Sequence, residues 1–105
     1  MTTLGEFEVL VLMAVLHLGD EAYPPAVRTA IEGRARRTVA RGAVYVTLER
    51  LEAKKLLTSY SAATDASGRA RRHYKVSARG LRALRHALAA VESMRVGLEP
   101  ILDEP

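Results

Sequence analysis

Three histidines, His17, His73 and His86, are the side chains best suited to moving protons or holding a metal at neutral pH, and their spacing serves neither task. They fall on three different expected elements, without the i,i+4 pairing or neighbouring carboxylates that a zinc site needs, so each reads as a surface or boundary residue. The chain has no Cys, which removes thiolate ligands, disulfides and thiol nucleophiles together. No Gly-rich phosphate loop follows an expected strand, and no Ser lies in a nucleophile-elbow context. Nothing here calls for an enzyme, a metal or a cofactor. What the chain does carry is guanidinium chemistry. Arg34, Arg36 and Arg37 crowd one short stretch, and Arg69, Arg71 and Arg72 crowd another. Residues 28–79 hold 13 Lys and Arg against 4 Asp and Glu, a local net of +9 in a chain whose total is +4, while residues 1–27 hold no Lys or Arg. Cations segregated in this way fit a polyanion, because Lys and Arg that neutralise phosphates release condensed counterions. The plainer reading is a basic face kept for solubility, which explains the segregation less well.

The element that must position this charge runs through Arg41–Leu57, RGAVYVTLERLEAKKLL. At 3.6 residues per turn Val44, Leu48 and Leu51 share one stripe, and Gly42, Val46, Glu49 and Ala53 lie opposite. The spacing predicts one helix with a core-facing seam and an outer face of small residues. Arg41, Gly42, Tyr45 and Val46 gather near its N-terminal end, where unpaired backbone N–H groups and the positive end of the helix dipole favour a phosphate.

Around that helix the rest of the chain arranges itself. Thr3 and Glu6 have the spacing of a capping box for a first helix over about Leu4–Leu18. That helix is apolar almost all round, so more than one side must be covered, the second cover being another subunit. Gly19-Asp20 ends it. Tyr23 and then Pro24-Pro25 open a second helix through about Glu32, with Val27, Ala30 and Ile31 as its core face. Gly33–Thr38 reads as a basic turn, and Thr38 as the cap of the third helix, which runs to about Lys55. Two short strands follow, Leu56–Ala62 and Arg72–Val76, joined by a hairpin tip over Ala63–Arg71 that contains Asp65, Ser67 and Gly68. Ser77 caps a last helix expected to reach Gly97, with Leu81, Leu84, Leu88, Val91 and Leu98 forming an a/d-like seam interrupted at Arg95. The seam is longer than a small domain can cover, which predicts burial against a second copy.

These elements carry a resemblance. Gly42-Ala43-Val44-Tyr45-Val46-Thr47-Leu48-Glu49-Arg50-Leu51-Glu52, with Lys54, Leu56 and Leu57, resembles the recognition-helix signature of the PadR family of winged helix-turn-helix transcriptional regulators. The likeness extends to Gly19-Asp20-Glu21-Ala22-Tyr23 upstream, and downstream to Gly68, the run Arg69–Lys75 and Val76-Ser77-Ala78-Arg79-Gly80. There are two departures. Pro24-Pro25 replaces a Gly and a small residue, and Lys55 stands where the family usually ends this helix with Gly, although Lys bears a steric cost at positive φ. The resemblance implies a mainly α fold with a small β-hairpin, in which residues 1–76 form a winged helix-turn-helix DNA-binding domain and residues 77–105 a C-terminal dimerisation helix and tail.

It also implies a regulator, a repressor, that binds double-stranded DNA at a palindromic operator as a homodimer. The residues expected at DNA are Tyr23, Arg36, Arg37, Thr38, Arg41, Gly42, Tyr45, Val46, Lys54, Arg69, Arg71 and Arg72. Arg41 and Tyr45 would reach base edges, while the wing arginines and Lys54 would reach phosphates or the minor groove. Those expected between subunits are Leu4, Phe7, Val11, Leu81, Leu84, Leu88, Val91 and Leu98. Family members are commonly released by a small-molecule effector, often aromatic or planar, near the dimer interface; with no Trp and one Phe, this chain lacks the stacking platform that some such sites use. The alternative function is an RNA-binding or protein-interaction module on the same fold. The most apolar segment, Val9–Leu16, is too short to cross a bilayer, and a cytoplasmic protein is expected.

Overall fold

Helix α1 (Glu6–Leu18) starts two residues later than the Thr3 and Glu6 pairing predicts. Gly5 takes the cap position, and its N–H donates to Glu8 Oε1 at 2.9 Å. Glu8 is the better partner because it is also wanted elsewhere: Oε2 accepts from Lys54 Nζ at 2.8 Å. Burial pushes the Glu8 carboxyl up, but the bonds from Gly5 and Lys54 together outweigh it and hold the group below the usual carboxylate range. The described residues are 3–64 and 67–103 of a computed structural model, with Ala63 known by its backbone alone. Asp65 of the expected hairpin tip lies outside them.

Much of the apolar girth of α1 is covered within one chain. The helix packs against α2 (Pro24–Ala35), α3 (Arg41–Ala53), strand β2 (Ala70–Val76) and α4 (Ala78–Arg95). Val11, Leu12 and Val15 enter a core shared with Val27, Ile31, Val44, Leu48, Leu51, Leu56, Leu57, Tyr74 and Leu84. Of the α1 residues expected between subunits, Val11 is fully inside this core, while Leu4 and Phe7 pack on its edge and are only partly buried. Of the large apolar residues on α1, Leu16 alone is exposed.

Gly19 closes α1 at φ 56°, a left-handed conformation that favours Gly, and a 3-10 turn over Gly19–Glu21 leads to Tyr23. Pro24 and Pro25 occupy the first turn of α2, where a missing N–H is harmless. The helix continues past Glu32 to Ala35, so Arg34 belongs to it rather than to the turn. The link to α3 is held by α2 side chains: Arg28 Nε donates to the Val39 carbonyl at 2.8 Å, and Glu32 Oε2 accepts from the Val39 N–H at 3.0 Å. Thr38 is not the cap of α3. Ala40 stands there instead, with no side-chain hydrogen bond to the helix end.

Helix α3 turns Val44, Leu48 and Leu51 inward, as its periodicity requires. It stops at Lys54, and Lys55 adopts φ 63°, the left-handed turn made without glycine. Strand β1 (Leu57–Thr64) then pairs antiparallel with β2, Leu57 opposite Val76 and Tyr60 opposite His73, with an irregularity between Ser61 and Thr64. Both strands are longer than expected. The Tyr74 N–H donates to the Ala22 carbonyl at 2.9 Å, which ties the hairpin to the segment leading into α2.

Ser77 caps α4 as predicted, its Oγ accepting from the Gly80 N–H at 2.9 Å. The apolar seam does not run on to Leu98, because α4 ends at Arg95, Gly97 takes φ 92°, and Leu98 begins a short helix α5 (Glu99–Leu102). Leu84 is 3 % exposed and belongs to the chain's own core rather than to a dimer face, whereas Leu88, Val91 and Met94 are 41, 66 and 77 % exposed.

Candidate nucleic-acid interface

The uncapped end of α3 faces the start of α2 and the hairpin across a groove of about 530 Å³. Its lining comprises Tyr23, Pro24, Pro25, Arg41, Tyr45, Ala70, Arg71 and Arg72. Of the residues expected at DNA, five therefore meet in one place although they are spread over fifty positions of sequence. The adjoining hollow between α2 and α3 shares Arg41 and Tyr45 and adds Arg28. Gly42 and Val46 lie exposed on the same helix, and Tyr45 is 37 % exposed with the Arg41 guanidinium 5.8 Å from its ring centre. Such a pair keeps the cation at the helix end where the dipole already attracts anions.

The hairpin side of the groove is aimed by a column of rings. His73, 4 % exposed, stacks on Tyr23 at 5.4 Å between centroids and meets Tyr60 at 5.7 Å on the β1 side. Its Nδ1 lies 2.7 Å from the Asp20 carbonyl, which can only accept, so Nδ1 carries the hydrogen. On Tyr23 rests the Arg71 guanidinium, 4.6 Å from the ring centre. His73 is thus no boundary residue: it is the buried foot of a support whose head is a wing arginine. The histidine's place opposite Tyr60 in the strand register was the signal that single residue types do not give.

Other expected contacts lie elsewhere. Arg37 turns back to α1, bonding Glu6 Oε1 at 2.6 Å with its guanidinium over the Phe7 ring. Arg36 and Thr38 are exposed in the α2–α3 link, Arg36 at φ 53°. Lys54 is drawn inward by Glu8. Arg72 reaches the groove but also leans on Glu52 Oε1 at 3.7 Å and Ser59 Oγ at 3.4 Å, and the Ser59 hydroxyl donates to Glu52. Arg69 is exposed near the tip. Arg28 was missed by sequence reading; its spacing of four from Glu32 was the available clue.

Two helices joined by a pinned turn, the second with an open N-terminal end, and a basic two-stranded hairpin beside it make a winged helix-turn-helix, a DNA-binding class. The profile described as the transcriptional regulator PadR-like family matches residues 12–86, and the chain belongs to that family. Among solved structures it is similar to a PadR family transcription regulator from Clostridium difficile R20291, with 22 % identity, 93 % of this chain and 99 % of that one covered, and a TM-score of 0.74. A padR family transcriptional regulator from Eggerthella lenta DSM 2243 gives 25 %, 95 % and 88 %, and 0.70. F93 from STIV, described as a winged-helix DNA-binding protein, gives 14 %, 91 % and 98 %, and 0.73. A comparison with curated proteins finds no match. The protein is a winged-helix transcriptional regulator, and among the described residues no helix is long and apolar enough to cross a membrane.

Proposed function

We propose that this regulator is a cytoplasmic repressor that binds a palindromic operator as a homodimer, one α3 entering each of two successive major grooves. Residues 1–76 would hold the DNA and residues 77–105 the second subunit. The observation that carries the reading is the groove at the uncapped end of α3, where Arg41 and Tyr45 on one side and Arg71 on the other face the same space. Arg41 and Tyr45 would read base edges, and Gly42 would let the backbone approach a phosphate. Arg71, Arg72 and Arg69 would hold phosphates or enter the minor groove. Lys54 and Arg37 contribute less in this arrangement, since each already has a carboxylate. A small-molecule effector near the subunit interface would be the means of release.

Salt separates the two kinds of interaction. Arg71→Ala should weaken operator and random duplex alike and lower the slope of log K against log salt by roughly one unit for each phosphate it no longer neutralises. Tyr45→Ala should instead reduce the preference for the operator by about 1–3 kcal/mol per half-site. Anisotropy titrations over a salt series measure both. An unchanged slope for Arg71→Ala together with full sequence preference in Tyr45→Ala would move the DNA to another surface.

A further inference from the structure

Residues 66–91 contain seven Lys and Arg and no acid. Arg69, Arg71 and Arg72 belong to the wing; Lys75, Arg79, Arg82 and Arg85 do not line the groove. We propose that the outward face of α4 is a second phosphate-binding surface, which takes the backbone of a duplex other than the one held at α3. The proposal rests on the reading of the chain as a DNA-binding protein.

Arg79, Arg82 and Arg85 recur every third residue, all exposed, with exposed His86 beside them. Their guanidiniums lie on the order of 9 Å apart from first to last along the helix axis. None of the three makes an ion pair with a described residue, whereas Arg28, Arg37, Arg72 and Arg95 each do. The contrast is sharpest within α4 itself, where Arg95 holds Glu92 through two bonds of 3.0 Å. Charges left without a counterion among the described residues draw one from outside. The start of this face is fixed at the far end of α3: Ser77 Oγ donates to the Lys55 carbonyl at 2.8 Å and the Ser77 N–H to that of Leu56 at 3.1 Å. That is about 20 Å along α3 from Arg41. Exposed Lys55 and Lys75 extend the positive field there.

The face selects a polyanion over a protein. An arginine that anchors a protein partner does so beside aromatic or apolar anchors. At 3.6 residues per turn the exposed apolar residues on the arginines' side of α4 are the small Ala78, Ala89 and Ala90, with exposed Leu88 at the edge of that side and Val91 opposite it. Leu84 is turned into the core. Phosphates need only the cations, and a regulator already seated on one duplex meets neighbouring DNA at high effective concentration.

The test uses the full chain bound at low salt to an immobilised random-sequence duplex, washed, and offered a fluorescent second duplex of different sequence. Wild type should capture the second duplex. Arg82→Ala/Arg85→Ala should capture about tenfold less, while its anisotropy titration on a single duplex stays within about threefold of wild type. Arg82→Lys/Arg85→Lys should restore capture. Undiminished capture by the Ala variant overturns the proposal, as does a wild type that holds the first duplex and captures no second, which would leave the face to an acidic polypeptide. A wild type that does not hold the first duplex overturns the DNA-binding reading itself and this one with it.

Discussion

Gly42 sits in the first turn of α3, and a Cβ built there would meet nothing of the protein within 4 Å. The fold therefore has no steric need for glycine at this position, and helix propensity argues against it. The space is needed by whatever approaches the helix end. Gly42→Ala should leave the fold intact or stabilise it by up to about 1 kcal/mol in thermal melts, yet weaken DNA binding on the order of tenfold, since an added methyl holds a phosphate away from the free N–H groups. A variant that gains stability and binds DNA as wild type does would show that this end of α3 touches no phosphate. Lys55 presents the reverse case, a side chain at φ 63° where the fold itself would favour glycine.

At the scale of elements, the decisive joint is between the start of α4 and the end of the α3–β1 link. A Cβ on Gly80 would lie 2.1 Å from the Leu56 carbonyl oxygen and 3.0 Å from Val76 Cγ1. The Leu56 carbonyl is also the acceptor for the Ser77 N–H, so it cannot move aside without breaking the joint. Gly80→Ala should then destabilise the protein by about 1–3 kcal/mol, read as a lower urea midpoint. An unchanged midpoint would mean that α4 is not seated on the wing as described. The joint has a functional side, because the same β2 strand carries His73, whose stack on Tyr23 sets Arg71 over the groove.

The whole molecule is long, 53 × 32 × 21 Å, because the second half of α4 and α5 leave the domain with Leu88, Val91, Met94, Val96, Leu98, Ile101 and Leu102 exposed. An apolar run of that length favours a second copy as its cover. Burial separates two substitutions that look alike in the sequence. Leu84→Asp places an unpaired charge in the core at a cost of several kcal/mol, comparable with the stability of a small domain, and should unfold the chain. Leu88→Asp, at a half-exposed site, should leave a folded monomer. Circular dichroism with sedimentation velocity distinguishes the two, and a wild type that sediments as a monomer at micromolar concentration would end the dimer reading.

What the sequence determined alone is whatever depends on short-range periodicity and backbone chemistry. The inward stripe Val44, Leu48 and Leu51, the Ser77 cap, the prolines opening α2 and the hairpin between residues 57 and 76 all follow from pitch, pleat and turn preference, which act over a few residues. Partner choice does not act over a few residues. Glu8 rather than Glu6 closes the first helix because Lys54, forty-six positions away, holds its other oxygen. Arg37 goes to Glu6, His73 is buried beneath Tyr23, and Leu84 is core while Leu88 is surface, each decided by what the fold brings alongside. The groove itself is of this second kind: its five expected residues carry the chemistry in the sequence, but only the packing of α2, α3 and the wing makes their charges face one space.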